Sequence, residues 1–214
     1  MIEHKGATSH KDVGAFYNAK YKEAGFEAFS NKDRRVYLDL LEKFGGSFLT
    51  GKSVLDAGCG HGEFLECFPV FMRRVGLDAS SEAVELAKKR FSHDISATII
   101  ECDMEAIDEV FGVWEAFDYI SCLGAIEHTM NPKKAFQKMM HLLNPGGVLL
   151  ILVPLEFEDC LGQLRNEPNQ VTNERFASMG EWISYFGETP THYETIGDGQ
   201  SKDVALIYKK ENKN

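Results

Sequence analysis

The chain has little positive charge: 23 Lys and Arg stand against 33 Asp and Glu, a formal net charge of −10 over 214 residues. Nucleic-acid backbones are bound through Lys/Arg clusters that displace counterions, so this balance argues against a nucleic-acid partner. A membrane surface is disfavoured on similar grounds. No apolar run approaches the roughly 20 residues of a membrane-spanning helix. The segment 1–6 has no apolar core and no arginine precedes Arg34, so neither a signal nor a transit peptide is expected. Five cysteines, Cys59, Cys67, Cys102, Cys122 and Cys160, form no C-x-x-C pair, and their odd number argues against a disulfide framework. Cys59, Cys102 and Cys122 fall in or beside predicted strands as small buried hydrophobes. A cytoplasmic location fits this usage. The seven histidines show no metal-ligand spacing with Cys or carboxylates, and no metal is expected.

What is present is alternation. Strand-like apolar runs lie near 53–57, 74–78, 96–101, 117–122 and 147–153, with helical patterns between them near 62–72, 81–91, 105–111 and 132–143. This order predicts a mostly parallel sheet with helices on both faces. Ser81 is the expected N-cap of the second of these helices, with Glu82 and Glu85 near its positive end. Asn144-Pro145-Gly146-Gly147 is a turn before the next strand. Upstream, Val36, Tyr37, Leu40, Leu41 and Phe44 give a helix over 33–44, stopped by Gly45-Gly46. Residues 12–29 hold Phe16, Tyr17, Tyr21, Phe26 and Phe29 among charges and are expected to form a helical lid. Downstream, 155–171 reads as loop, 173–186 as a helix, and 191–197 and 203–209 as two final strands joined by a turn at 197–200.

The most informative segment is Val54-Leu55-Asp56-Ala57-Gly58-Cys59-Gly60-His61-Gly62. A buried strand ends in an acid, then glycines follow at alternate positions. Glycine has no Cβ, so such a loop lets a ligand approach the backbone. The spacing is G-x-G-x-G; a dinucleotide loop needs a third glycine where Glu63 stands, and no Gly-Lys-Ser/Thr of a P-loop follows. His61 is expected to point outward. The helix after this loop contains Pro69, which can end or kink it early. The next strand ends in Asp78-Ala79, and an acid there can accept both hydroxyls of a ribose; the alternative is a solvated helix cap.

The D-x-G-x-G-x-G form resembles motif I of the class I S-adenosylmethionine (SAM)-dependent methyltransferases. The resemblance covers about residues 50–154. It implies a Rossmann-like seven-stranded, mostly parallel sheet with helices on both faces and the last strand antiparallel. It implies that Asp56, Gly58, Cys59 and Gly60 surround the methionine part of SAM, and that Asp78 and Ala79 serve the ribose. Asp103 and Met104 match the positions that bind adenine, Asp103 also being a candidate N-cap. Residues 117–128 resemble the fourth motif, with Ile126 in place of the usual Leu before Glu127-His128. Leu123 and Gly124 would then face the methionine moiety. His128 is either a general base or a framework residue. Arg35, before motif I, would pair with the SAM carboxylate through a bidentate guanidinium; Tyr17 or Tyr21 would close over SAM from the cap. Cys122 has no adjacent proline and is not expected to act as a nucleophile.

The reading at this level is a single domain over 1–214, with a helical cap at 1–46 and an acceptor-side segment at 155–190. Its expected reaction is SAM-dependent methyl transfer to an oxygen or nitrogen of a small molecule, the acceptor pocket being lined from the cap and from Phe157, Trp182, Tyr185 or Phe186, each of which is equally an ordinary packing residue. Two alternatives stay open: methylation of RNA or protein, and SAM binding without catalysis. A nicotinamide dehydrogenase fits the loop spacing less well. Oligomeric state is not legible.

Overall fold

A computed structural model describes residues 2–4, 9–22, 38–45, 52–112, 115–155, 174–197 and 203–212. Strand β1 (Ile2–His4) and helix α1 (His10–Lys22) precede a short π-helical turn at Leu41–Gly45. The α/β core then runs β2 (Ser53–Ala57), β3 (Arg73–Asp78), α2 (Ser81–Arg90), β4 (Ala97–Glu101), α3 (Ile107–Val110), β5 (Phe117–Leu123), α4 (Pro132–Leu142) and β6 (Leu143–Pro154). It closes with β7 (Glu174–Phe176), α5 (Met179–Phe186), β8 (His192–Ile196) and β9 (Asp203–Lys209).

Seven strands form one sheet in the order β4-β3-β2-β5-β6-β9-β8. Strands β4 to β6 are mutually parallel, and β9 runs antiparallel between β6 and β8. The expected sheet, its dominant parallel pairing and its antiparallel last strand are all present. From β2 the chain steps outward through β3 to β4, then returns to lay β5 on the other side of β2. That reversal opens a crevice at the carboxyl ends of β2 and β5, the place where open α/β sheets bind ligands.

Both faces of the sheet are covered, as a parallel sheet requires. Alternate side chains of β2 serve opposite layers: Val54 packs with Phe64, Phe68 and Tyr119, while Leu55 packs with Phe117, Ile120 and Phe136. The second layer ends in an aromatic stack. Phe136 and Phe186 lie parallel with centroids 4.8 Å apart, Trp182 stacks on Phe186 at 5.6 Å, and the Trp182 indole N–H donates to the Pro154 carbonyl at 2.9 Å. Trp182→Ala is expected to destabilise the fold by about 3–5 kcal/mol, read as a lower urea midpoint at unchanged slope.

Helix starts follow their caps. Asn131 caps α4 ahead of Pro132, which suits the first helical position. Ser178 and Glu181 form a reciprocal capping box on α5, and Gly187 ends it in the left-handed conformation at φ 83°. The cap of α2 is Ser80, whose side chain accepts from Ala83 N–H, and not Ser81 as expected.

Three expected elements differ. The helix predicted over 62–72 shrinks to one 3₁₀ turn at Leu65–Cys67. Phe68 precedes Pro69, and the residue before proline is pushed to extended backbone; Phe68 has φ −83° and ψ 145°. The helix predicted over 173–186 begins only at Met179, because Glu174–Phe176 is a strand paired antiparallel with Ile2–His4. The helix predicted over 105–111 is split into a 3₁₀ turn at Met104–Ala106 followed by α3. Most of the loop expected at 155–171, and the helical patterns at 23–37, lie outside the described residues. Among the described residues no helix is long and apolar enough to cross a membrane.

Candidate active site

The glycine loop is tied to the end of β3. Gly58 and Cys59 N–H both donate to the Leu77 carbonyl, at 2.8 and 2.9 Å. Gly60 N–H donates to Asp78 Oδ2 and Ser80 N–H to Asp78 Oδ1, each at 2.9 Å. One carboxylate therefore holds the loop on one side and the start of α2 on the other. Burial pushes the Asp78 carboxyl above its ordinary range, and the backbone N–H donors oppose that shift. Gly60 sits at φ 53°, left-handed backbone suited to glycine.

Above the loop is a cavity of about 340 Å³. One wall is the loop and strand ends, with Asp56, Gly58, Cys59, Gly60, Asp78 and Ala79. A second comes from the ends of β4 and β5, with Asp103, Met104, Leu123, Gly124 and His128. The third is α1, through Val13, Phe16, Tyr17, Lys20 and Tyr21. The structure thus brings together every cofactor and catalytic candidate named from the sequence except Arg35, which lies outside the described residues.

Individual environments sharpen the picture. Asp56 is buried and accepts from Ser121 Oγ at 2.7 Å; burial pushes its carboxyl up to about 7, against that hydrogen bond. Asp103 Oδ1 accepts from Glu105 N–H at 2.7 Å, so it caps a turn and lines the cavity at once. His128 lies 3.7 Å from Glu127 Oε1 through its Nε2, and its ring meets Tyr17 edge-on at 5.7 Å. Burial pushes the Cys122 thiol well up, which removes it as a thiolate nucleophile. Among the described residues no group of three or more His, Cys, Asp or Glu could hold a metal ion.

Two features depart from the sequence reading. His61 does not point outward. It is 8 % exposed and lines the cavity, held by the Arg90 guanidinium 3.1 Å from its Nδ1 and by the edge of the Tyr21 ring. Trp182 and Phe186 belong to the core stack, Tyr185 packs beside them, and none of the three lines the cavity. Phe157 lies outside the described residues.

Helix α1 carries more of the site than its sequence indicated. Val13, Phe16, Tyr17 and Lys20 follow the spacing i, i+3, i+4, i+7 of one helix face, a signal that was available. Asn18 reads in the sequence as an ordinary polar helix residue. Its Oδ1 accepts from Ser80 Oγ at 2.7 Å, Ser81 Oγ at 3.2 Å and Glu82 N–H at 3.2 Å. Gly14 lets α1 lie close, since a Cβ there would stand 2.8 Å from the Ala79 carbonyl oxygen. Helix α1 is thus latched to the turn that follows Asp78.

A seven-stranded sheet with this reversal, this glycine loop and an acid ending the neighbouring strand defines the class I SAM-dependent methyltransferases. Residues 29–196 match the family described as methyltransferase domain, and the chain belongs to that family. A ubiquinone biosynthesis O-methyltransferase of Actinobacillus pleuropneumoniae is 36 % identical over 107 residues, 47 % of this chain and 45 % of the relative. The chain spans about half the length of the curated relatives it matches. The N-methyltransferase NodS of Bradyrhizobium japonicum, solved with S-adenosyl-L-homocysteine, aligns with TM-score 0.68 over 93 % of this chain and 98 % of its own at 16 % identity. The [4+2]-cyclase SpnF aligns with TM-score 0.74 over 98 % of both chains at 13 % identity. At such identities these likenesses speak for the fold alone, and a shared fold does not fix a reaction.

Proposed function

We propose that the protein transfers a methyl group from SAM to an oxygen or nitrogen of a small molecule. The observation that carries this reading is the single cavity in which the glycine loop, Asp78 and Asp103 meet His128 and the aromatic face of α1. The residues fit the cofactor: at Gly60 a Cβ would stand 2.6 Å from the Tyr21 hydroxyl, so the cradle exists only because the position is glycine.

In this reading Asp78 takes the ribose hydroxyls and Asp103 with Met104 the adenine. Asp56, Cys59, Leu123 and Gly124 flank the methionine part, Tyr21 closes over it, and Arg35 pairs with its carboxylate. Bound SAM supplies a methyl carbon already activated by the sulfonium. The chain's task is then alignment of acceptor and methyl, a proximity effect worth several kcal/mol. His128 is placed to take the acceptor's proton, with Glu127 beside it. Phe16, Tyr17 and Val13 offer an apolar, aromatic surface to the acceptor. The O-methyltransferase names of the curated relatives support oxygen as the acceptor atom. The acidic charge balance supports a small acceptor over RNA, and free buried cysteines support a cytoplasmic setting.

The test is a transfer screen with methyl-labelled SAM against metabolite fractions and bulk RNA. Label entering a small-molecule fraction is the expected result. Label entering only RNA or protein would overturn the acceptor class.

A further inference from the structure

Among the described residues Lys20 is the only lysine or arginine that lines the cavity. The acids around it are already engaged. Asp78 accepts from Gly60 and Ser80 N–H, Asp103 from Glu105 N–H and Asp56 from Ser121 Oγ. Glu63 lies 3.8 Å from the Arg90 guanidinium. Lys22, two residues on, pairs with Glu82 at 2.9 Å. Lys20 is half-buried and has no such partner: among the described residues it makes no ion pair, and its ammonium lies over the Phe16 ring, 5.5 Å from the centroid. Such a contact is weak where water reaches it, so an anion entering the cavity can draw the ammonium away from the ring.

The direction of the side chain assigns it to one part of the cavity. Positions four apart share a helix face, and helical side chains lean back toward the N-terminus. Phe16 meets Tyr17 edge-on at 5.2 Å, and Tyr17 meets His128 at 5.7 Å. One wall therefore runs from the proposed base, across two aromatic rings, to an unpaired ammonium. Tyr21, the next residue, serves the other side: its hydroxyl stands 2.6 Å from where a Gly60 Cβ would lie, against the glycine loop. We propose that Lys20 selects an anionic acceptor: a small molecule with a flat apolar body, whose carboxylate or phosphate pairs with Lys20 while its methyl-accepting oxygen or nitrogen sits at His128. The proposal rests on the reading of this cavity as a methyl-transfer site. An ammonium–anion hydrogen bond is charge-assisted, and an analogue without the anion forgoes it.

The full-length wild-type protein is incubated with methyl-labelled SAM and a metabolite extract, and the labelled product is passed over an anion exchanger at neutral pH. Retention is expected. Retention lost after alkaline phosphatase marks a phosphate ester, and retention kept marks a carboxylate. The extract fraction that supports transfer then serves as acceptor in a dilution series. Lys20→Met is expected to raise its apparent KM about ten- to hundredfold. The saturated rate and the calorimetric SAM affinity should stay within about threefold, the pattern of lost acceptor binding. Lys20→Arg, which keeps the charge, should restore most of the KM. Label in a small molecule that passes the exchanger overturns the proposal and leaves methyl transfer standing. An unchanged KM in Lys20→Met also overturns it, as does a loss of SAM affinity of the same size, which would give Lys20 to the cofactor's own carboxylate. Label in no small molecule overturns the methyl-transfer reading and this proposal with it. Should Lys20→Met fail to fold, Lys20→Gln, which also removes the charge, reads the same KM.

Discussion

Gly60→Val is expected to weaken SAM binding about a hundredfold, or roughly 2.7 kcal/mol. Three effects act in the same direction. Gly60 has φ 53°, where a β-branched residue is strained by about 1–3 kcal/mol. Its new Cβ would stand 2.6 Å from the Tyr21 hydroxyl, so Tyr21 must swing out of the cavity wall. Any shift of the loop also loosens the hydrogen bond from Gly60 N–H to Asp78, the group that ties the loop to β3. None of these contacts belongs to the aromatic core, so the fold should survive. Calorimetry gives the affinity and circular dichroism confirms the fold. An intact variant with unchanged affinity would show that the glycine loop is not the cofactor's cradle.

His128→Ala is expected to separate binding from transfer. The side chain borders the cavity beside Glu127 and Tyr17, at the far end of β5 from the core. A positioned general base contributes about 10²–10⁴-fold, so kcat should fall by that order. SAM affinity should stay within about tenfold, since the loop, Asp78 and Asp103 are untouched. Single-turnover transfer to the acceptor found in the screen reads the first quantity and calorimetry the second. Full transfer in the variant would make His128 a framework residue, the other reading that its sequence allowed.

The parts that sequence predicted best are those in which local pattern and tertiary environment agree. The central strands β2, β5 and β6 are apolar runs that stay apolar because both sheet faces are covered there, and all four cavity-facing segments sit at strand ends that the motif spacing marks. Misreadings arose where a distant partner decides. Glu174–Phe176 is a strand only because Ile2–His4 lies beside it, a pairing that three-residue segments cannot announce. His61 turns inward because Arg90, on α2, reaches its ring. Asn18 looks like an ordinary polar helix residue until α2 brings Ser80 and Ser81 against it. The lost helix after Gly62 was legible in principle: Pro69 forces Phe68 out of helical backbone, a local constraint that overrides the apolar periodicity. Trp182, Tyr185 and Phe186 carried the opposite ambiguity, since an aromatic helix face reads alike for a pocket and for a core.

The cofactor assignment is tested most directly by titrating the purified protein with SAM, S-adenosylhomocysteine and NAD under one condition. The cavity, with its G-x-G-x-G loop and with Asp78 and Asp103 at neighbouring strand ends, predicts saturable one-site binding of SAM and of S-adenosylhomocysteine. It predicts no binding of NAD, whose loop needs a glycine where Glu63 stands. Tight NAD binding without SAM binding would contradict the assignment.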